Sequence, residues 1–186
     1  CYIELAKDVL KGTGIQVAST LNFPIANDTL PMKIAALKEM IKTGVDQFDF
    51  PPNPGLLLGG EEKAYFEEMK QIVEVAHASG VVVKAMLEFG YITTPELKAK
   101  AAQLACEAGI DWVKQSSGWG VGGCPADVED VKILKANIEL PCRVKVSGKV
   151  NTLEKMKAMF EAGAELVGTS SGPAIVDGLV GDINAY

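Results

Sequence analysis

The chain has 186 residues, 48% of them hydrophobic, so it is long enough to bury one sizeable core, and we expect a single domain over residues 1–186. The net charge of −6 and the lack of a basic tract disfavour nucleic acid and anionic membranes as partners. No transmembrane run and no signal peptide are found, so we expect a cytoplasmic protein. The first residue is cysteine rather than methionine, which suggests that residues precede it in the native gene product.

The cysteines and the single histidine disfavour several classes of site. The cysteines are far apart and show no CxxC spacing, which predicts free thiols rather than a disulfide framework or a zinc site; they are Cys1, Cys106, Cys124 and Cys142. His77 lies in a helical pattern and is predicted to be a solvated helix-end residue. A Ser–His triad and a histidine metal site are therefore not expected.

Taken in chain order, charged amphipathic helices alternate with apolar strands. The predicted helices cover 2–11, 30–43, 61–79, 94–108, 126–136 and 151–162. Helix amino termini are expected near Asn27/Asp28, Thr93/Thr94, Asp127 and Asn151/Thr152. The strand-bearing segments are 11–23, 42–50, 78–87, 107–116, 139–148 and 161–170. Most begin at a glycine that ends the preceding helix and continue as β-branched apolar runs, which is typical of buried parallel strands.

Six alternating units predict an α/β protein with right-handed crossovers, either an open doubly wound sheet or a (β/α)8 barrel. The absence of GxGxxG and GxxxxGK[ST] motifs disfavours dinucleotide-binding and P-loop folds. The loops that carry functional residue types all follow strands, which favours a TIM (β/α)8 barrel with its site at the carboxyl-terminal face. Six strands cannot close an eight-stranded barrel, so the chain is expected to be short at one end.

Four charged residues stand near the ends of predicted strands: Asp49, Lys84, Lys114 and Lys145. Each is flanked by apolar residues, so the two-residue period of a strand places it on the inner face of a barrel, where a lone charge is costly. Neighbouring cations and burial lower the pKa of a lysine and leave a neutral amine that can form a Schiff base. The alternative is structural, with inward lysines paired to glutamates such as Glu88, and spacing alone leaves both open.

Three glycine-bearing loops also follow strands: SSGWGVGG (116–123), VSGK (146–149) and GTSSG (168–172). Backbone N–H groups in such turns, and at a short following helix, commonly bind phosphate. A simple tight turn remains the alternative for any one of them. Together the loops predict a phosphorylated sugar held beside an amine.

Several of these segments, in order and at matching spacings, resemble the deoxyribose-phosphate aldolase family: DFPPNPG, VVVKAMLEFG, DWVKQSSGWGVGG, EDVKILK and VKVSGKVNTLEKMKAMFEAGAELVGTSSG. The resemblance implies a class I aldolase on a TIM barrel. Such an enzyme joins acetaldehyde to glyceraldehyde 3-phosphate without a metal or cofactor. It further implies that Lys114 forms the Schiff base, Lys145 lowers the pKa of Lys114, and Asp49 relays protons. The implied substrate-binding residues are Lys84, Gly118, Gly148, Gly168, Ser170, Ser171 and the carboxyl-terminal Tyr186.

The sequence departs from the family pattern at three places and at its start. Gln115 replaces the usual threonine, Lys149 replaces the second glycine of a pair, and the loop after Asp49 is rich in proline. Cys1 aligns near the end of the second strand, so the chain is expected to supply roughly strands 3–8, without the first βα unit and most of strand 2. A homo-oligomer is one way to close that gap. Two alternatives stay open: a non-catalytic sugar-phosphate-binding barrel, and a Schiff-base aldolase of the barrel class with a different donor.

Overall fold

The computed structural model describes residues 1–182. In chain order the helices and strands are α1 (Ile3–Val9), β1 (Ala18–Thr20), α2 (Leu30–Lys42), β2 (Gln47–Phe50), α3 (Pro54–Leu58), α4 (Glu62–His77), β3 (Val82–Met86), α5 (Pro95–Glu107), β4 (Trp112–Lys114), α6 (Val128–Ala136), β5 (Arg143–Ser147), α7 (Leu153–Ala162), β6 (Leu166–Gly168) and α8 (Gly172–Val176). The predicted alternation of helices and strands is confirmed, with the boundaries shifted by one or two residues at most helix ends.

The six strands form one sheet in which each strand pairs in parallel with the next along the chain. Strands β2 and β5 would lie about 14 Å apart in a flat sheet, since neighbouring strands are spaced about 4.8 Å. Yet Lys145 Nζ on β5 lies 2.6 Å from Asp49 Oδ2 on β2. The sheet must therefore curl, and its concave face carries the charged residues. This is the expected partial (β/α)8 barrel.

The main apolar core lies between the convex face of the sheet and the surrounding helices. Alternate strand residues that point outward are fully buried, among them Phe48, Val83, Val113 and Val144. The helices turn matching faces toward them; α4 buries Tyr65, Met69, Ile72 and Ala76, spaced three or four residues apart. Burying a side chain of this size contributes about 1.5–3 kcal/mol, so this layer fixes the strands that position the site.

Three of the four predicted helix starts are confirmed by side-chain caps. Thr94 accepts a hydrogen bond from Leu97 N, Asp127 accepts from Glu129 N, and Thr152 accepts from Lys155 N. The N-cap prediction at Asn27/Asp28 is wrong: α2 begins at Leu30, as predicted, but its N-cap is Thr29. Asp28 is instead engaged by Asn22 within the preceding loop.

The outer strands of the sheet are β1 and β6, and within the described part of the chain each of them pairs on one side only. Helix α1 has no buried residue, and its apolar side chains Leu5 and Val9 are exposed, as is its N-cap Tyr2. Among residues 1–182, no helix combines the length and the apolar character needed to span a membrane.

Candidate active site

Three lysines surround one aspartate on the concave face of the sheet. Asp49 Oδ2 lies 2.6 Å from Lys145 Nζ and 3.3 Å from Lys114 Nζ. Asp49 Oδ1 lies 3.6 Å from Lys84 Nζ. Asp49, Lys84 and Lys114 are buried and Lys145 is partly buried, and each comes from a different strand of β2–β5. The structure thus brings together all four charged residues that the sequence placed near strand ends.

The register of the parallel strands explains this convergence. Asp49 pairs with Lys84 across β2 and β3, and Lys114 pairs with Lys145 across β4 and β5. Between β3 and β4, however, Lys114 pairs with Met86 rather than Lys84. Because every second residue points to the same face of a strand, the four charged side chains enter the barrel in two adjacent layers and meet at Asp49.

The surroundings of the cluster set its protonation. Burial alone would raise the pKa of Asp49, but the charges of Lys145, Lys114 and Lys84 outweigh burial and hold that pKa below its usual value. Asp49 is therefore an ionised carboxylate. Burial lowers the pKa of Lys114, and the nearby charge of Lys145 lowers it further, against the opposing effects of Asp49 and Glu88. Burial also lowers the pKa of Lys84, to about 8.

Of the three lysines, Lys114 lines a cavity on this face, and Lys84 and Lys145 are not part of that lining. A cavity of about 300 Å³ is lined by Thr20, Phe23, Asp49, Met86, Lys114, Ser117 and Trp119. Lys84 lies deeper in the barrel, where its ammonium group also donates to the side-chain oxygen of Gln47. Lys114 therefore combines a lowered pKa, a neighbouring carboxylate and access to a cavity, which are the requirements for an amine nucleophile.

A buried glutamate that the sequence suggested only as a partner for the lysines instead holds the loop after β4. Glu88 accepts hydrogen bonds from Ser117 N at 3.1 Å and Ser117 Oγ at 3.1 Å. Burial raises the pKa of Glu88 in spite of these hydrogen bonds. Ser147 Oγ donates to Ser116 O at 3.0 Å, which ties the same loop to the end of β5. These contacts link distant segments, so sequence spacing gave no signal for them.

The glycine-bearing loops after β5 and β6 lie side by side. Thr169 Oγ donates to Val150 O at 2.6 Å and accepts from Ser171 N at 3.0 Å. Gly168 adjoins the charged cluster, since a Cβ there would lie 3.4 Å from Lys145 Cε. Gly148 has a φ of +103°, and a Cβ there would lie 2.7 Å from Cys124 O, so no side chain fits without movement of the neighbouring loop.

The remaining predicted binding residues are placed differently. Gly118 belongs to the loop after β4, where its N–H donates to Ser116 Oγ at 2.8 Å. Ser170 lies between Thr169 and Ser171 in the loop after β6. Tyr186 lies outside the described residues. A cation that the sequence analysis missed, Lys155 on α7, donates to Lys149 O and Asn151 Oδ1 at the loop after β5, 3.3 Å in each case.

Neither of the two substituted positions touches the charged cluster. Gln115 is fully buried and donates from Nε2 to Ser147 O at 2.5 Å, so it joins the ends of β4 and β5. Lys149 is exposed, at a φ of +53°. Among the residues that the structure describes, no group of three or more His, Cys, Asp or Glu side chains is arranged to hold a metal ion. His77 is the last residue of α4, and its Nε2 lies 2.9 Å from Asp111 Oδ2.

Comparison with known proteins relates this arrangement to one family. A family model described as DeoC/LacD family aldolase matches residues 2–178. The chain belongs to this family. It is therefore an aldolase, an enzyme of the lyase class.

Individual relatives agree with the family match. A deoxyribose-phosphate aldolase of a Thermoanaerobacter species is 39% identical over 178 residues, which cover 95% of this chain and 78% of the relative. The deoxyribose-phosphate aldolase of Thermococcus gammatolerans gives the same identity and coverage. Among solved structures, an aldolase named QR15 has a TM-score of 0.85 at 28% identity, covering 95% of this chain and 76% of the other. The tetrameric deoxyribose phosphate aldolase of Aeropyrum pernix shares the fold, with a TM-score of 0.83 at 24% identity, covering 95% and 73%.

Proposed function

We propose that this chain is a class I aldolase that reversibly cleaves 2-deoxy-D-ribose 5-phosphate into acetaldehyde and D-glyceraldehyde 3-phosphate. The observation that carries the proposal is Lys114. It is the one lysine of the cluster that lines a cavity, its pKa is lowered, and its Nζ lies 3.3 Å from the Asp49 carboxylate. We infer the substrate from the names of the relatives, which are deoxyribose-phosphate aldolases, and the reaction type from the residues of the site.

In the cleavage direction, the neutral amine of Lys114 attacks the aldehyde carbon of the open-chain sugar, and the resulting carbinolamine loses water to give a Schiff base. The C2–C3 bond then breaks. Its electron pair moves into the Schiff base to form an enamine, and the C3 hydroxyl gives up its proton as the new aldehyde leaves. Protonation of the enamine and hydrolysis release acetaldehyde and restore Lys114.

Asp49 and Lys145 serve these proton transfers. Asp49 is ionised, so it can accept a proton from the C3 hydroxyl or from the carbinolamine. Lys145 Nζ lies 2.6 Å from Asp49 and can return a proton through that contact. Lys145 also keeps the pKa of Lys114 low by charge repulsion. Lys84 contacts the other carboxylate oxygen of Asp49. Its positive charge helps to keep Asp49 ionised, and the contact holds the carboxylate in place.

The phosphate of the substrate fits the paired loops after β5 and β6. We place it near Gly148, Gly168, Ser170 and Ser171, with Gly118 bordering from the loop after β4. Gly148 and Gly168 let the backbone approach a ligand closely, since they add no side chain. Lys149 and Lys155 bring positive charge to the same loops. Tyr186 is proposed to reach this site from the carboxyl terminus, as the family resemblance implies.

Two other functions share parts of this site. A barrel that binds a sugar phosphate without catalysis would be expected to lack part of the Asp49–lysine cluster. The cluster is complete here, and the substituted residues Gln115 and Lys149 lie outside it, which favours the enzyme. A Schiff-base aldolase with a different donor would use the same lysines, and only substrate tests separate it from the proposed reaction.

The decisive experiment is reductive trapping. The protein is incubated with acetaldehyde and a borohydride reductant, and intact mass and peptide mapping then locate a two-carbon adduct. We expect the adduct on Lys114 and its loss in Lys114→Leu. Lys84→Leu is the matched control, because Lys84 also has a lowered pKa and contacts Asp49 but does not line the cavity. In that variant the adduct should still form on Lys114. An adduct that forms undiminished in Lys114→Leu would overturn the assignment.

A further inference from the structure

The cavity at Lys114 has one apolar side. Phe23 and Trp119 meet there, with their ring centroids 5.8 Å apart and their planes at 60°, and Met86, which pairs with Lys114 across β3 and β4, also lines the cavity. These residues come from the region of β1–β4. The loops in which we propose to place the phosphate follow β5 and β6, on the other side of β4 in the strand order. A two-carbon unit bound to Lys114 would therefore lie against an apolar wall formed by Phe23, Met86 and Trp119.

Trp119 is held in place by buried polar groups. The backbone N–H of Trp119 donates to Ser117 Oγ at 3.2 Å, and Ser117 Oγ in turn donates to the buried carboxylate of Glu88. The glycines that follow pack tightly behind it. A Cβ at Gly123 would lie 2.1 Å from Trp119 N, and a Cβ at Gly122 would lie 2.3 Å from the Tyr91 ring. The indole stands at the mouth of the site, 55% exposed, on a backbone that these contacts fix.

Trp119 also borders a second space. A neighbouring cavity of about 190 Å³ is lined by Pro24, Ile25, Glu88, Tyr91, Trp119, Gly120, Val121 and Gly122. Trp119 is the residue that lines both cavities. Trp119 therefore stands between the two cavities, and we expect the loss of its side chain to join the second space to the cavity at Lys114.

We propose that Trp119 determines which aldehydes can form the Schiff base. With Phe23 and Met86 it bounds a cavity for short, unbranched aldehydes whose carbon chain is apolar, and it excludes longer chains by closing off the neighbouring space. The proposal rests on the proposed function, because it presupposes that Lys114 reacts with an aldehyde. Glu88 and Ser117 are positioning residues in this arrangement, since they act through Trp119.

The size of the effect follows from the energetics of apolar pockets. One methylene more or less in a hydrophobic pocket changes discrimination by about 10–200-fold. Because the Trp119 side chain is 55% exposed, we expect its effect on discrimination to lie at the lower end of that range. The wild-type protein should therefore give less adduct with each added carbon, in the order acetaldehyde, propanal, butanal.

The experiment is a competition. Equal concentrations of acetaldehyde and butanal are trapped with a borohydride reductant, and the ratio of two-carbon to four-carbon adducts on Lys114 is read by mass. Trp119→Ala should move this ratio toward the four-carbon adduct by roughly tenfold, and Trp119→Phe should give a smaller shift in the same direction. Phe160→Ala is the matched control. This aromatic residue is exposed on α7, outside both cavities, and its loss should leave the ratio unchanged.

The outcomes are distinct. A ratio that moves in Trp119→Ala and stays constant in Phe160→Ala supports the proposal. An adduct on Lys114 with the same ratio in all variants, or a wild-type protein that traps all three aldehydes equally, overturns this proposal and leaves the proposed function intact. No adduct with any aldehyde in the wild-type protein overturns both. Trapping of acetaldehyde, propanal and butanal by the wild-type protein tests the selectivity for short aldehydes even if Trp119→Ala does not fold.

Discussion

At the scale of single residues, the three lysines that contact Asp49 have different surroundings. Lys84, Lys114 and Lys145 all contact Asp49, yet they differ in depth and in access to the cavity. Burial is the largest cause of the lowered pKa of both Lys84 and Lys114. A lowered pKa therefore does not by itself identify the nucleophile. Access to the cavity distinguishes Lys114 from Lys84.

The pH dependence of the reaction tests the role of Lys145. The neutral amine of Lys114 forms as the pH rises through its pKa, and the charge of Lys145 is the second cause, after burial, that keeps this pKa low. In Lys145→Leu one lowering influence is lost and the pKa of Lys114 rises. The onset of adduct formation should then move to higher pH. The measurement is the rate of borohydride trapping against pH.

Lys155→Leu is the control for that experiment, because Lys155 is a cation at the edge of the site without a contact to Asp49. Its pH profile should have the wild-type midpoint. A Lys145→Leu variant that reacts more slowly but with an unchanged midpoint would mean that Lys145 acts only in binding.

The convergence of Asp49 with the three lysines could be predicted from the sequence, because strand periodicity fixes which face each side chain takes. The partners of Glu88 could not. Its hydrogen bonds depend on how the loop at Ser116 and Ser117 folds back over β3, and no spacing in the sequence encodes that fold. Trp119 was visible only as part of a glycine-rich loop. Its place beside Phe23 depends on how the loops after β1 and β4 approach each other, which no spacing in the sequence encodes.

At the scale of elements, helices with periodic apolar faces and capping residues were predicted to within a few residues, and short ones were not. Helix α3 has five residues and too few turns to show a period. Its signals are local: Asn53 caps Gly55 N, and Pro54 begins the helix. The first residue of α2, Leu30, was predicted correctly, but its N-cap was misplaced, because the side chain of Asp28 contacts Asn22, six residues earlier.

The paired loops after β5 and β6 carry a prediction at this scale. Crystals soaked in sulfate or phosphate should show an anion within hydrogen-bond reach of the backbone of Gly148, Ser170 or Ser171, because these turns bring backbone N–H groups and the cations Lys149 and Lys155 together. Soaking in an equal concentration of a monovalent chloride salt is the control. An anion that binds only at the amino-terminal ends of the strands would contradict the proposed phosphate site.

At the scale of the whole molecule, the curled sheet has two outer strands. Within residues 1–182, β1 and β6 each lack a ladder partner on their outer side, and apolar side chains near both ends of the described chain are exposed, including Tyr2, Val9, Val176 and Val180. Unpaired edges of this kind favour association with another strand. Closure into a barrel removes them.

We therefore expect residues 1–186, expressed by themselves, to associate through these edges or to unfold without a sharp cooperative transition. Light scattering gives the oligomeric state, a thermal melt gives the cooperativity, and the retro-aldol reaction gives the activity. Dilution is the internal control, since association through the edges should weaken as the concentration falls. A cooperative, active monomer would show that six strands suffice for both folding and catalysis.

The arrangement of one carboxylate among three cations has a consequence for genetics and protein engineering. Asp49 contacts all three lysines. When one lysine is removed, we expect Asp49 to stay ionised and to shift toward the two that remain. Effects of substitutions at residues that share a partner are not additive. The loss measured in any single lysine variant is therefore a property of the remaining group as well, and the contribution of each lysine is defined only by a full set of single, double and triple variants.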